Sequence, residues 1–131
     1  MATSKEAAKT TLAGLRVLDL TQFLAGPYAT MIFADLGAEV IKLEAPVGDW
    51  SRVLPPNFVG EDSAYYLSIN RNKRSIVVDM KSPEGLEIVK NSPPAFALID
   101  LRLEDGNGLD VVKELSKEKK DCRIVMLTGY G

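Results

Sequence analysis

An α/β fold, Rossmann-like or flavodoxin-like, with a doubly wound and mostly parallel five-stranded sheet is predicted by three features of this sequence. Apolar runs of strand length alternate with segments of helical periodicity, and glycines and prolines punctuate the joins between them. At 131 residues, with 46% hydrophobic and 26% charged, the chain also has the size and composition of one globular domain that buries a core. The reading is a single α/β domain over residues 1–131.

Each element has its own signal. Leu15 to Leu20 (LRVLDL) is the first strand; Ala25-Gly26-Pro27 turns the chain, and Met31, Ile32 and Leu36 recur at helical spacing. Gly37 stands where a helix commonly stops, and Glu39 to Glu44 (EVIKLE) is the second strand, giving a βαβ unit with a right-handed crossover. Residues 45–70 hold Pro46, Gly48, Pro55, Pro56 and Gly60 without sustained periodicity, and read as a long surface excursion with a short helix at Asp62 to Ser68. Ser75 to Met80 (SIVVDM) is the third strand. Ser82-Pro83-Glu84 supplies an N-cap, a first-turn proline and an early acid for a helix ending near Asn91. After the breaker Ser92-Pro93-Pro94 come a buried strand at Phe96 to Leu101, an amphipathic helix at Leu109 to Lys119 and a last strand at Arg123 to Leu127. With the first three strands in the order 3-2-1 and the chain then crossing over, the strand carrying Asp100 lies beside the one carrying Asp19.

Composition removes several chemistries. Sixteen Lys and Arg against eighteen Asp and Glu give a net charge of −2, which offers no electrostatic attraction to nucleic acid or an acidic membrane. There is no histidine, which excludes Ser/His/Asp and Cys/His catalysis and the usual zinc sites, and the single Cys122 excludes an intramolecular disulfide. The polar start from Met1 to Thr10 is unlike a signal peptide, no apolar run is long enough to span a bilayer, and a cytoplasmic location is expected.

From about Leu12 to Asn91 the sequence resembles the family III CoA-transferases, the group of the formyl-CoA transferases and α-methylacyl-CoA racemases. The resemblance rests on LAGLRVLDLT at 12–21, AGPYAT at 25–30, DLGAEVIKLE at 35–44 and NRNKRSIVVDMKSPEG at 70–85. It implies a Rossmann-like part that helps bind CoA near the strand ends. By position it carries CoA contacts onto Ala25, Ala45, Val78, Asp79 and Lys81, with Arg52 and Arg74 as nearby cations. Ala45 stands where relatives often have arginine, which removes a planar cation able to stack on adenine. The family's catalytic aspartate lies beyond the matching segment, so the resemblance places no catalytic residue here.

From about Pro93 to Gly131 the sequence resembles the receiver domain of response regulators, on PPAFALIDLRLEDGNGLDVVKEL and RIVMLTGYG. The resemblance implies that Asp100 is the phosphoacceptor and Thr128 the hydroxyl that senses the phosphoryl group. The receiver's own acidic pair for Mg²⁺ and its lysine are missing from the matching stretch. Two readings stand for Asp19, on the strand expected beside Asp100: a weak divalent-cation site shared with Asp100, or a cap on local turns with Asp100 merely solvated.

The expectation is therefore a chimera with its junction near residue 92, a 12–91 CoA-transferase-like half and a 93–131 receiver-like half, and no complete native activity. Residual CoA or nucleotide binding is the first alternative, and phosphoryl acceptance at Asp100 with Mg²⁺ the second. Gly106-Asn107-Gly108 reads as a turn before a helix, and Trp50, Tyr65 and Tyr66 as packing residues. The apolar last strand RIVML is expected to seek a covering partner, so a homo-oligomer is predicted.

Overall fold

Strand β1 (Arg16–Leu20) is the hub of the molecule, with β2 (Glu39–Glu44) on one side, β3 (Arg74–Val77) beyond it, β4 (Phe96–Asp100) on the other side and β5 (Arg123–Leu127) beyond that. The computed structural model describes residues 10–91, 94–103, 106–118 and 121–129. The four pairings are all parallel, and the order β3-β2-β1-β4-β5 reverses its direction of growth between β1 and β4. Leu20 registers with Ile99, so the Asp19 and Asp100 strands are neighbours as the sequence predicts.

A parallel sheet needs both faces covered, and alternation along each strand sorts the side chains accordingly. Leu18, Leu20, Leu43, Ala97 and Ile99 point to one face, where helices α3 (Pro83–Asn91) and α4 (Gly108–Glu118) cover them with Val89, Val111 and Leu115. Val17, Val40 and Leu98 point to the other, under Ala34 and Phe33 of helix α1 (Ala25–Asp35). Helix α2 (Ala64–Asn70) packs beside α1.

Local chemistry sets the ends. Gly37, at φ +94°, closes α1 by donating its N–H to the Ala34 carbonyl. Ser82 accepts from the Gly85 N–H at 2.9 Å and starts α3. The third strand stops at Val77, short of the expected Met80, because Asp79 turns the chain: its carboxylate accepts the Lys81 N–H and its carbonyl accepts the Ser82 N–H. The 45–70 excursion contains a 3₁₀ turn at Trp50–Val53 capped by Asp49, a two-residue hairpin of Phe58–Val59 with Asp62–Ser63, and α2, which begins two residues later than expected. A second small hairpin, Arg102–Leu103 with Gly106–Asn107, precedes α4, and the Asn107 side chain accepts the Leu109 N–H at 2.9 Å. Residues 92 and 93, where the junction is expected, lie outside the described residues.

Candidate functional site

On the α1 face of the sheet the rows change character toward the carboxyl ends of the strands. Val17 and Val40 are apolar, but Asp19 and Lys42 sit side by side in register, and Glu44 follows in β2. These charged side chains are buried, and burial of a charge is tolerated when it is paired and hydrogen-bonded. Asp19 accepts from the Thr21 N–H and hydroxyl, from the Thr30 hydroxyl and from Lys73 Nζ at 2.9 Å. Burial alone would raise its carboxyl, yet Lys42, Lys73 and the two threonines outweigh that and hold it below the usual aspartate range. Lys73 also donates to the Pro27 carbonyl and to Asn70, and its own burial lowers its pKa. Lys42 donates to the Thr21 carbonyl and lies 2.7 Å from Asp49 Oδ2, an ion contact without an aligned hydrogen bond.

Beside it a second cluster pins the excursion to the sheet. Arg52 grips Glu44 through two 2.7 Å bonds, reaches Asp62 and the Tyr66 hydroxyl, and lies 3.9 Å from the Tyr66 ring centroid. Burial would raise Glu44, but Arg52, Ser75 and Tyr66 bring it down to about 2. Arg52, a cation of open role from sequence, is thus the clasp of this loop.

Where the strand order reverses, a crevice of about 530 Å³ opens at the carboxyl ends of β1, β4 and β5. Open α/β sheets bind ligands at this switch point, and the volume lies in the usual range for small-molecule sites. Its walls are Gln22 to Gly26, Asp100 to Arg102, and Leu127 to Gly129. Gly26 has to be small, since a Cβ there would come within 2.2 Å of the Thr21 side chain that Asp19 holds. Gly108 is equally confined: a Cβ would come within 2.0 Å of the Asp100 carbonyl. The Asp100 carboxylate accepts the Gln22 N–H at 2.7 Å, so the loop after β1 is tied to the end of β4. Burial, with help from Asp19 and Asp49, raises the Asp100 pKa, against the Gln22 bond and Lys42.

The CoA-matched and receiver-matched residues fall on this one carboxyl edge, in separate places, whereas Arg74 begins β3 at the opposite edge and pairs with Glu39. Ala25 and Thr128 are exposed in the crevice and Asp100 is half-buried there; Asp100 registers with Leu127, putting Thr128 one step beyond. Ala45 and Val78 are buried just past β2 and β3. Asp79 and Lys81 are exposed, and Lys81 borders another groove, of about 450 Å³, with Met80, Leu86, Leu103 and Val111. Asp19 lies on the same face as Asp100, two register positions deeper. Its oxygens are taken by two threonines and by Lys73, whose ammonium supplies the positive charge there. Among the described residues no group of three His, Cys, Asp or Glu side chains is placed to hold a metal.

Sequence reasoning missed Lys42, Lys73 and Glu44. The available signal was their position: Lys42 and Glu44 share the parity of buried Val40 in EVIKLE, and a charge at an inward strand position calls for a buried partner. Trp50 departs from a pure packing role, being 57% exposed with its ring 6.4 Å from that of Phe23.

Comparison with known proteins places this geometry. The family model for CoA-transferase family III matches residues 12–91. The chain belongs to CoA-transferase family III. Over residues 64–131 it also belongs to the response regulator receiver domain family, and residues 64–91 fall within both matches. It is 45% identical over 130 aligned positions to the human succinyl-CoA:glutarate CoA-transferase, covering 92% of this chain and 28% of that protein. It is 56% identical over 61 positions to the photosynthetic apparatus regulatory protein RegA of Cereibacter sphaeroides, covering 45% of this chain and 33% of that one. A CAIB/BAIF family protein from Brucella suis superposes with a TM-score of 0.80 at 34% identity, over 94% of this chain and 34% of that structure. The chain thus spans about a third or less of the family III relatives. Coverage of 94% runs well past residue 91, so the superposition on the Brucella suis structure takes in receiver-matching strands as well.

Proposed function

We propose that this chain is a CoA-ligand-binding α/β unit, with part of the ligand in the switch-point crevice beside Ala25 and the rest along the carboxyl edge past Ala45 and Val78 toward Asp79 and Lys81. The observation that carries this reading is the gathering of all five family-matched positions on one edge of one parallel sheet, next to an open crevice. The family relatives are named for CoA transfer, which gives the ligand class. Ala45 and Val78 contribute shape and backbone, while Lys81 is the exposed cation for a phosphate. The proposal is confined to binding, and no acyl exchange between CoA thioesters is expected of this chain. Thermal unfolding with CoA tests it: ligand at a hundred times Kd adds about 2.7 kcal/mol and raises Tm by several degrees, and Lys81→Ala weakens the shift. An unchanged Tm at millimolar CoA would refute it.

A second reading has its own support: Asp100 ends β4 and Thr128 directly follows the adjacent β5, both at the crevice, and the surrounding residues match the receiver family. Phosphoryl acceptance at Asp100 predicts that beryllofluoride with Mg²⁺ raises Tm and that Asp100→Asn abolishes this. The proposed setting for either activity is the cytoplasm, with the chain as a homo-oligomer; among the described residues no helix is long and apolar enough to cross a membrane.

A further inference from the structure

We infer that Asp100 is a positioning residue for the Gln22–Leu24 segment of the crevice, so that a side chain from the receiver-matching part of the chain shapes the ligand site of the transferase-matching part. The inference rests on the CoA reading for its ligand and on independent geometry for its mechanism. The chain leaves β1 at Leu20 and enters α1 at Ala25, and in between Phe23 adopts φ +68°, a left-handed conformation that a phenylalanine rarely takes. Such a conformation persists where its surroundings over-determine it. Two anchors do so here. On the buried side Asp19 and Lys42 hold Thr21 through its N–H, hydroxyl and carbonyl. On the crevice side Asp100 accepts the next N–H, that of Gln22, at 2.7 Å from across the β1–β4 boundary.

The carbonyl of Asp100 is fixed in turn. Gly108 lies against it without room for a Cβ, and the Leu101 carbonyl accepts the Gly108 N–H at 3.0 Å, so the start of α4 holds the end of β4 in place. The consequence is a loop whose exposed side chains, Phe23 and Leu24, are set from both sides while remaining open to the crevice. Phe23 stands 6.4 Å from Trp50, the one tryptophan of the sequence, and that ring reports on the loop without any ligand.

The test compares the full chain with Asp100→Ala, which removes the acceptor, and Asp100→Asn, which keeps an oxygen in place. Hydrogen exchange of the Gln22 amide and iodide quenching of Trp50 are read first, then CoA affinity. Expected are loss of Gln22 protection, altered Trp50 quenching and about tenfold weaker CoA binding in Asp100→Ala, the loss of one charge-assisted bond. Asp100→Asn restores most of each. A destabilised Asp100→Ala is replaced by Asp100→Leu, which fills the space without an acceptor. Unchanged Gln22 exchange and Trp50 quenching in the acceptor-less variants would overturn the inference, as would equal losses in Asp100→Asn and Asp100→Ala. Absence of CoA binding to the unmodified protein defeats the ligand reading alone, because the Gln22 and Trp50 measurements still decide whether Asp100 holds the loop.

Discussion

Lys73 and Asp19 show what a buried ion pair does in this molecule. Lys73 joins the Asp19 carboxylate, the Pro27 carbonyl and Asn70, linking the end of β1 to the start of α1 and the end of α2. Removing the ammonium leaves a carboxylate without its direct ion-pair partner in a site closed to water. Lys73→Met is therefore expected to lower unfolding stability by about 3–5 kcal/mol in urea titration. Lys73→Met combined with Asp19→Asn should recover part of that loss, because the stranded charge is gone. Glu44 sets the acid limb. Its folded pKa is depressed from 4.5 to about 2, so its contribution is fully present above the ordinary glutamate pKa and is lost as pH falls from about 4.5 through about 2. Stability should drop by at most about 3 kcal/mol from this group over that window. Glu44→Gln should be less stable at neutral pH and show a flatter acid limb in denaturant titrations at several pH values. An unchanged limb would mean that Arg52 does not hold the ionised form.

At the scale of elements, the strands that register with β1 were legible because apolar runs and turn residues bound them: EVIKLE and FALID are strands within a residue of the expected limits. The third strand was misread beyond Val77. The run SIVVDM is apolar enough for six residues, but Asp79 satisfies its neighbours' N–H groups locally and ends the ladder. The excursion was illegible in detail because Arg52, Glu44, Asp62 and Tyr66 meet across up to 22 positions, a distance that periodicity does not sense. The crevice was half legible. Adjacency of the Asp19 and Asp100 strands follows from winding rules, but the bond from Gln22 to Asp100 depends on a loop conformation that no local pattern announces. Gly108 makes the element-level prediction. Gly108→Ala drives a methyl into the Asp100 carbonyl, which cannot move without disturbing β4. A cost of about 1–3 kcal/mol is expected in thermal or urea unfolding, together with weaker protection of the Gln22 amide. A neutral substitution would show that the start of α4 gives way instead.

Among the described residues the five-stranded sheet has two open edges, and they are not equivalent. The β3 edge is exposed along its length, with Val77 at 64%, but Arg74 at its start pairs with Glu39 and Arg71 and Asn72 bond Asp35 beside it, so charged groups guard the approach. The β5 edge has Arg123 as its one charge and then Ile124 to Leu127, with Val125 40% exposed on the face opposite Ile124, which packs against the core under α4. A parallel edge strand offers a row of N–H and C=O groups as well as apolar side chains, and a second copy is a partner with the same unmet groups. Self-association through β5 is therefore expected, seen as a sedimentation coefficient that rises with protein concentration. Val125→Lys should shift the boundary toward monomer, because joining two edges would bury two ammonium groups, whereas Val77→Lys should leave it unchanged. A single sharp monomer boundary at high concentration would refute the association, and equal effects of the two lysines would move the contact to a surface that both edges share.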